Sequence, residues 1–225
     1  MSSDPADTPT DPHQVSVVPT PVLGDLPRGT TLLQRYQILD RKGTGGFGTT
    51  YRARDTNQGV SVAVKVLHPH LLTNLEVVTR FDTEAKAMSR VRHPAVCHVI
   101  DYGHDTRVNA QCLVMDFVDG VTLKQVLESG AMHPTRAAAI ALQLSEALAA
   151  VHEAGIVHRD LKPANVMVDA RGCVRLLDFG VAKIIGDEYV RLTSTGAVVG
   201  SLQYMSPERN VSSTLRHGTS GITEY

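Results

Sequence analysis

Three polar side chains are spaced so that they could share one cleft: Asp160, Asn165 and Asp178, carried by His158-Arg-Asp-Leu-Lys-Pro-Ala-Asn165 and Asp178-Phe-Gly180. Asp160 and Asn165 lie five apart on a stretch that Pro163 is expected to keep from being helical, so both can point the same way. The residues that follow are Val166-Met-Val168, a turn at Asp169-Ala-Arg-Gly172 and an apolar run from Val174 to Leu177, which together read as a β-hairpin. With its turn centred near Arg171 and Gly172, positions 165 and 178 fall opposite each other at the open end. One amide and one carboxylate oxygen there suit a hard cation such as Mg²⁺, completed by water and phosphate oxygens. Asp160 is left for proton transfer.

These segments resemble the catalytic-loop and metal-binding signatures of protein kinases, and the chain is similar to the eukaryotic-like, bacterial Hanks-type serine/threonine kinases. The resemblance implies Asp160 as catalytic base, Lys162 as the cation that steadies the transferred phosphoryl, and Asn165 and Asp178 as Mg²⁺ ligands. Leu161-Lys162-Pro163 points to serine or threonine rather than tyrosine acceptors. The implied activity is transfer of the γ-phosphoryl of ATP to protein hydroxyls. A nucleotide-binding pseudokinase scaffold, or an inactive truncated fragment, is the alternative.

The elements that must position this loop lie upstream. Tyr36-Gln-Ile-Leu39 and Thr50-Tyr-Arg-Ala53 alternate as strands around Gly43-Thr-Gly-Gly-Phe-Gly48, and no helix follows the glycines as it would in a dinucleotide fold. Glycine is expected there because the backbone must approach phosphates and adopt angles that a Cβ forbids. Lys65 interrupts the apolar strand Val62-Ala-Val-Lys-Val-Leu67. From about residue 74 to 90, Val77, Phe81, Glu84 and Met88 fall on one helical face, and the resemblance pairs Glu84 with Lys65. Two further strands span 95 to 118, giving an antiparallel sheet of five that ends in a hinge, where the resemblance places Met115 at the gate position. Helices are expected from Thr122 to Ser129 and Thr135 to Glu153, the latter with a core stripe of Ile140, Leu144, Leu148 and Val151. His68 and His70, which flank Pro69, read as loop histidines.

The resemblance thus implies a two-lobed α+β fold, a five-stranded antiparallel small lobe with one helix above a partial helical lobe. Its nucleotide contacts would be Gly43, Thr44, Gly45, Gly46, Phe47, Gly48, Thr50, Ala63, Lys65, Glu84, Met115, Asp116, Val118 and Met167.

At 225 residues, 42% hydrophobic and with a formal net charge of -1, the composition is globular. The lack of a dense basic block argues against nucleic acid or an anionic membrane as the main partner. Cys97, Cys112 and Cys173 fall at no metal or redox spacing and suit a reducing, cytoplasmic setting. The most apolar run, Ala137 to Val151, is broken by Gln143, Ser145 and Glu146 and is too short to span a bilayer. Residues 1–33, rich in Pro, Thr, Ser and Asp, read as a disordered tail, and 34–208 as the kinase domain. Residues 209–225 are polar and aperiodic and fall outside the resemblance, so the helical lobe is expected to be incomplete. Between Asp178 and Ser206-Pro-Glu208 the chain resembles an activation segment. Arg159 beside the catalytic aspartate suits a phosphate-ordered loop, with autophosphorylation expected at Thr193 or Thr195.

Overall fold

Alternation of apolar residues carries the first half of the chain into a sheet. The computed structural model describes residues 26–158, 160–177 and Tyr204. The strands are β1 (Thr31–Leu32), β2 (Tyr36–Thr44), β3 (Gly48–Asp55), β4 (Ser61–Leu67), β5 (Val99–Asp105) and β6 (Ala110–Asp116). They lie in the order β1-β2-β3-β4-β6-β5, each neighbouring pair antiparallel.

Among the described residues the sheet therefore has six strands rather than the expected five. β1 is only two residues long, too short for period-two alternation to reveal it. Leu32 is nevertheless fully buried. The turn after it is pinned from across the sheet: Leu33 N–H donates to Asp105 Oδ2 at 2.7 Å, and Arg107 donates to the Thr31 carbonyl at 3.0 Å. Residues 26–33, expected to belong to the tail, are part of the fold, and Leu26 is buried with its N–H on the Tyr51 hydroxyl at 3.0 Å.

Period two also decides which face each side chain takes. Val62, Val64 and Val66 of β4 join Tyr36, Tyr51 and Val114 in one core cluster. Leu67 turns to the other face, where Leu113 and Met115 of β6 meet helix α1 (Leu75–Met88). Asn74 caps α1 by accepting from Glu76 and Val77 N–H. Its buried stripe is Val77, Phe81, Ala85 and Met88. Ala85 thus takes the place expected for Glu84, which sits half-buried beside it.

Beyond β6 the chain forms β7 (Gly120–Thr122), α2 (Leu123–Glu128), α3 (Pro134–Glu153), β8 (Val166–Asp169) and β9 (Val174–Leu176). Thr122 and Gln125 make a reciprocal capping box that starts α2. On α3, Ile140, Ala147 and Val151 are buried, whereas the expected Leu144 and Leu148 are only half-buried. β7, β8 and β9 make a second, antiparallel sheet. Two backbone bonds stitch it to the small lobe: Cys97 N–H to Leu176 O at 2.9 Å, and Leu176 N–H to Ala95 O at 2.8 Å.

Candidate active site

Pro163 does not forbid helical geometry here. Pro163–Asn165 is a single 3₁₀ turn with proline first, where its missing N–H has no partner to lose. The turn brings the loop's polar groups together. Asn165 Nδ2 donates to the Asp160 carbonyl at 2.8 Å and to Asp160 Oδ2 at 3.0 Å. The Lys162 ammonium lies 2.7 Å from the same Oδ2. His158, 2% exposed, anchors the loop from beneath. Its Nε2 faces the Leu177 carbonyl at 2.9 Å, and its Nδ1 accepts from Asp160 N–H at 3.3 Å. A carbonyl can only accept, so the proton sits on Nε2.

The hairpin of β8 and β9 sets the loop's far end, one residue out of the expected register. Val166 pairs with Leu176 and Val168 with Val174, and Leu177 N–H donates to the Asn165 carbonyl at 2.8 Å. Asn165 therefore faces Leu177 rather than position 178. The cause is the turn. Gly172, at φ +82°, closes a three-residue loop, and Asp169 N–H bonds the Cys173 carbonyl at 3.1 Å. The Asp169 carboxyl accepts from Arg171 and Cys173 N–H at 2.9 Å each, and the Cys173 bond leads in holding its pKa below the usual carboxylate range.

Above this loop lies a cleft of about 1040 Å³. It is lined by Gly43, Thr44, Gly45, Gly46, Phe47, Gly48, Thr50, Ala63 and Lys65 from the sheet, Met115, Asp116 and Val118 from the hinge, and Asp160, Lys162, Asn165 and Met167 below. Alternation again explains the aim: Val166 and Val168 are buried in the core, so Met167 between them faces the opening. Lys65, 8% exposed, sits opposite Thr50 and Leu113 in the ladders. Glu84 is on α1 and does not line the cleft. Asp178, Arg159, Thr193, Thr195 and Ser206 lie outside the described residues.

The glycines divide by cause. A Cβ on Gly48 would meet the Val66 carbonyl at 2.2 Å, so packing within the sheet requires that glycine. Gly43 has nothing within 4 Å of such a Cβ, and Gly45 has only the Gly48 carbonyl at 4.0 Å. None of the three adopts positive φ. The expectation of forbidden angles is therefore corrected: at 43 and 45 it is open space, not backbone angle, that a side chain would take.

Further lining residues were not expected, among them Lys42, Phe117, Asp119, Gly120, Thr122, Gln125 and Leu177. Gly120 carried a local signal, a lone glycine just past an apolar strand; its Cβ would meet the Val168 carbonyl at 2.5 Å. Phe117 carried none. The Lys42 ammonium and Arg52 guanidinium stand 5.8 and 5.7 Å from its ring centroid, and Asp40 pairs with both at 2.9 and 2.8 Å. This cluster ties the base of the glycine loop to the hinge.

The Asn165 side chain fits a magnesium ligand on chemical grounds. Its nitrogen is committed to Asp160, so its oxygen is the end that can meet a cation.

The protein kinase domain family matches residues 36–220. The serine/threonine-protein kinase pkn2 of Myxococcus xanthus is 42% identical over 189 residues, 82% of this chain and 22% of that protein. PknB of Mycobacterium tuberculosis is 39% identical over 181 residues, 79% of this chain and 29% of its own. The chain thus spans roughly a quarter of the length of these relatives. The crystal structure of the Mycobacterium tuberculosis PknI kinase domain superposes with a TM-score of 0.63 at 28% identity, covering 71% of this chain and 64% of that one.

Proposed function

The chain belongs to the protein kinase domain family and has its α+β fold, and from that premise we propose that it transfers the γ-phosphoryl of ATP to serine and threonine hydroxyls of proteins. One observation carries this reading. The Asp160 carboxylate, held by Lys162 and Asn165, opens into the same cleft as the buried Lys65 and the glycine loop.

In this reading the Lys65 ammonium, little exposed to water, attracts the α- and β-phosphates more strongly than a solvated lysine would. Glu84 would keep that lysine in place from α1. The hinge at Met115, Asp116 and Val118 takes the adenine. Asp160 orients the acceptor hydroxyl and takes its proton, and Lys162, in contact with Asp160, meets charge that develops on the transferred group. Asn165 and Asp178 would hold Mg²⁺, which when bound offsets the charge on the phosphate oxygens. Autophosphorylation at Thr193 or Thr195 and a cytoplasmic setting belong to the same reading. That setting would keep Cys97, Cys112 and Cys173 as thiols.

The test is transfer of labelled phosphate from ATP to a protein acceptor, compared with Asp160→Asn. Loss of the base is expected to lower the rate by about 10²-fold or more. Equal signal from both proteins defeats the proposal. Nucleotide binding with no transfer leaves the scaffold alternative.

A further inference from the structure

His68 and His70 have no part in the chemistry above, and among the described residues they belong to no cluster of three or more potential metal ligands. Their position is informative. His68 follows the last residue of β4 and precedes Pro69, which biases it to extended backbone, here φ -65° and ψ 141°. Its N–H therefore continues toward the glycine loop and donates to the Phe47 carbonyl at 3.0 Å. Its imidazole turns the same way, with Nε2 at 2.8 Å from the Gly45 carbonyl. That carbonyl can only accept, so Nε2 is the donor. The His70 ring stacks on His68 with centroids 5.6 Å apart and planes at 21°, bracing the imidazole.

The loop is also held at its base by the contact between the Thr44 and Thr49 hydroxyls at 3.2 Å and by Phe47 against the core. Gly43 and Gly45 meet no close packing, and Gly45 N–H is committed within the loop to the Gly48 carbonyl at 2.9 Å. We propose that His68 is a positioning residue for nucleotide, clamping the Gly45 and Phe47 carbonyls so that the loop's remaining amides face the phosphates. The geometry follows from the planar trans peptide, in which C=O and the next N–H point opposite ways. With the carbonyls of 45 and 47 turned to His68, the amides of Gly46 and Gly48 turn from it, and both residues line the cleft. Converging backbone N–H groups of this kind make an anion site. The inference rests on the kinase reading for its ligand but not for the clamp itself.

Two measurements on the full chain separate these. Amide hydrogen exchange across residues 43–48 without nucleotide reads the clamp, and titration with Mg²⁺ and a non-hydrolysable ATP analogue reads its consequence. His68→Ala is expected to exchange Gly45 N–H roughly fivefold faster and to bind the analogue roughly fivefold more weakly, the worth of about one net hydrogen bond. His68→Gln, whose amide nitrogen stands as many bonds from Cα as Nε2, should restore both to within about twofold. In steady-state assays KM for ATP should rise while kcat changes far less. Unchanged exchange in His68→Ala overturns the clamp, and faster exchange with unchanged affinity overturns the positioning role. A wild-type chain that binds no nucleotide defeats the kinase reading, and the exchange comparison then still decides the clamp.

Discussion

The side chain of Asn165 is oriented by what it donates to, since Nδ2 reaches both the carbonyl and a carboxylate oxygen of Asp160. Asn165→Asp exchanges that donor for an oxygen and sets two carboxylates against each other across a 3.0 Å contact. It is expected to cost at least about a hundredfold in kcat, the scale of misplaced acid-base catalysis, and more than Asn165→Ala, which removes the donor without adding charge. Equal kinetics for the two variants would dismiss the orienting role. That Asp160 and Asn165 share one cleft is legible from their spacing. The 3₁₀ turn that joins them was not, because a proline reads as a helix breaker unless it is known to stand first. Counted from Val77, Glu84 at i+7 and Ala85 at i+8 both fit a 3.6-residue period, and the smaller, apolar Ala85 takes the closest approach. The packing that demands glycine at 48 is not legible, because the Val66 carbonyl it meets lies on another strand, beyond the reach of any local pattern.

Between residue and fold, the β8–β9 hairpin is the element that sets the loop against its neighbours. Its existence followed from two short apolar runs around a polar turn, but its register depended on whether Gly172 would take positive φ and close a three-residue loop. Gly172→Ala places a Cβ at φ +82° and is expected to lower stability by about 1–2 kcal/mol. Urea unfolding would measure it, and an unchanged midpoint would mean that the turn rearranges at no cost. The strand β7 depends on this hairpin, since Val121 pairs with Val168 and Gly120 lies against the Val168 carbonyl. The cluster of Asp40, Lys42, Arg52 and Phe117 shows the opposite limit of legibility. Its members come from β2, β3 and the hinge, and only the sheet order, itself a long-range outcome, brings them together.

Over the whole molecule, buried or paired carboxylates of the small lobe give stability a direction in pH. The Asp55 carboxyl, fully buried, is lowered first by its hydrogen bond from Arg35, at 2.7 Å, and further by Asn57 and Gln58 N–H, against the cost of burial. Asp40 is lowered first by Lys42 and then by Arg52. Burial alone would raise Asp105, but hydrogen bonds from Arg107 and from Leu33 N–H outweigh it and hold it low. Each of these groups binds its proton less readily folded than unfolded, so each stabilises the fold above the ordinary aspartate pKa of about 3.9 and loses that contribution as pH falls through its depressed value. Asp82, half-buried beside Gln111, runs the other way: burial raises its pKa, so protonation through this one group favours the folded chain. Three against one in the small lobe, with Asp169 held low as well, the melting temperature is expected to hold from pH 7 to about 5 and to fall steeply below about 4. Because Asp105 pins β1 and Asp55 holds Arg35 beside β2, the small-lobe sheet should fail first, and strand signal in circular dichroism should be lost before the signal of α3. Asp55→Asn should flatten the acid limb by removing one of the three titrations. A melting temperature that does not change between pH 5 and 3 would show that these ion pairs do not couple to folding.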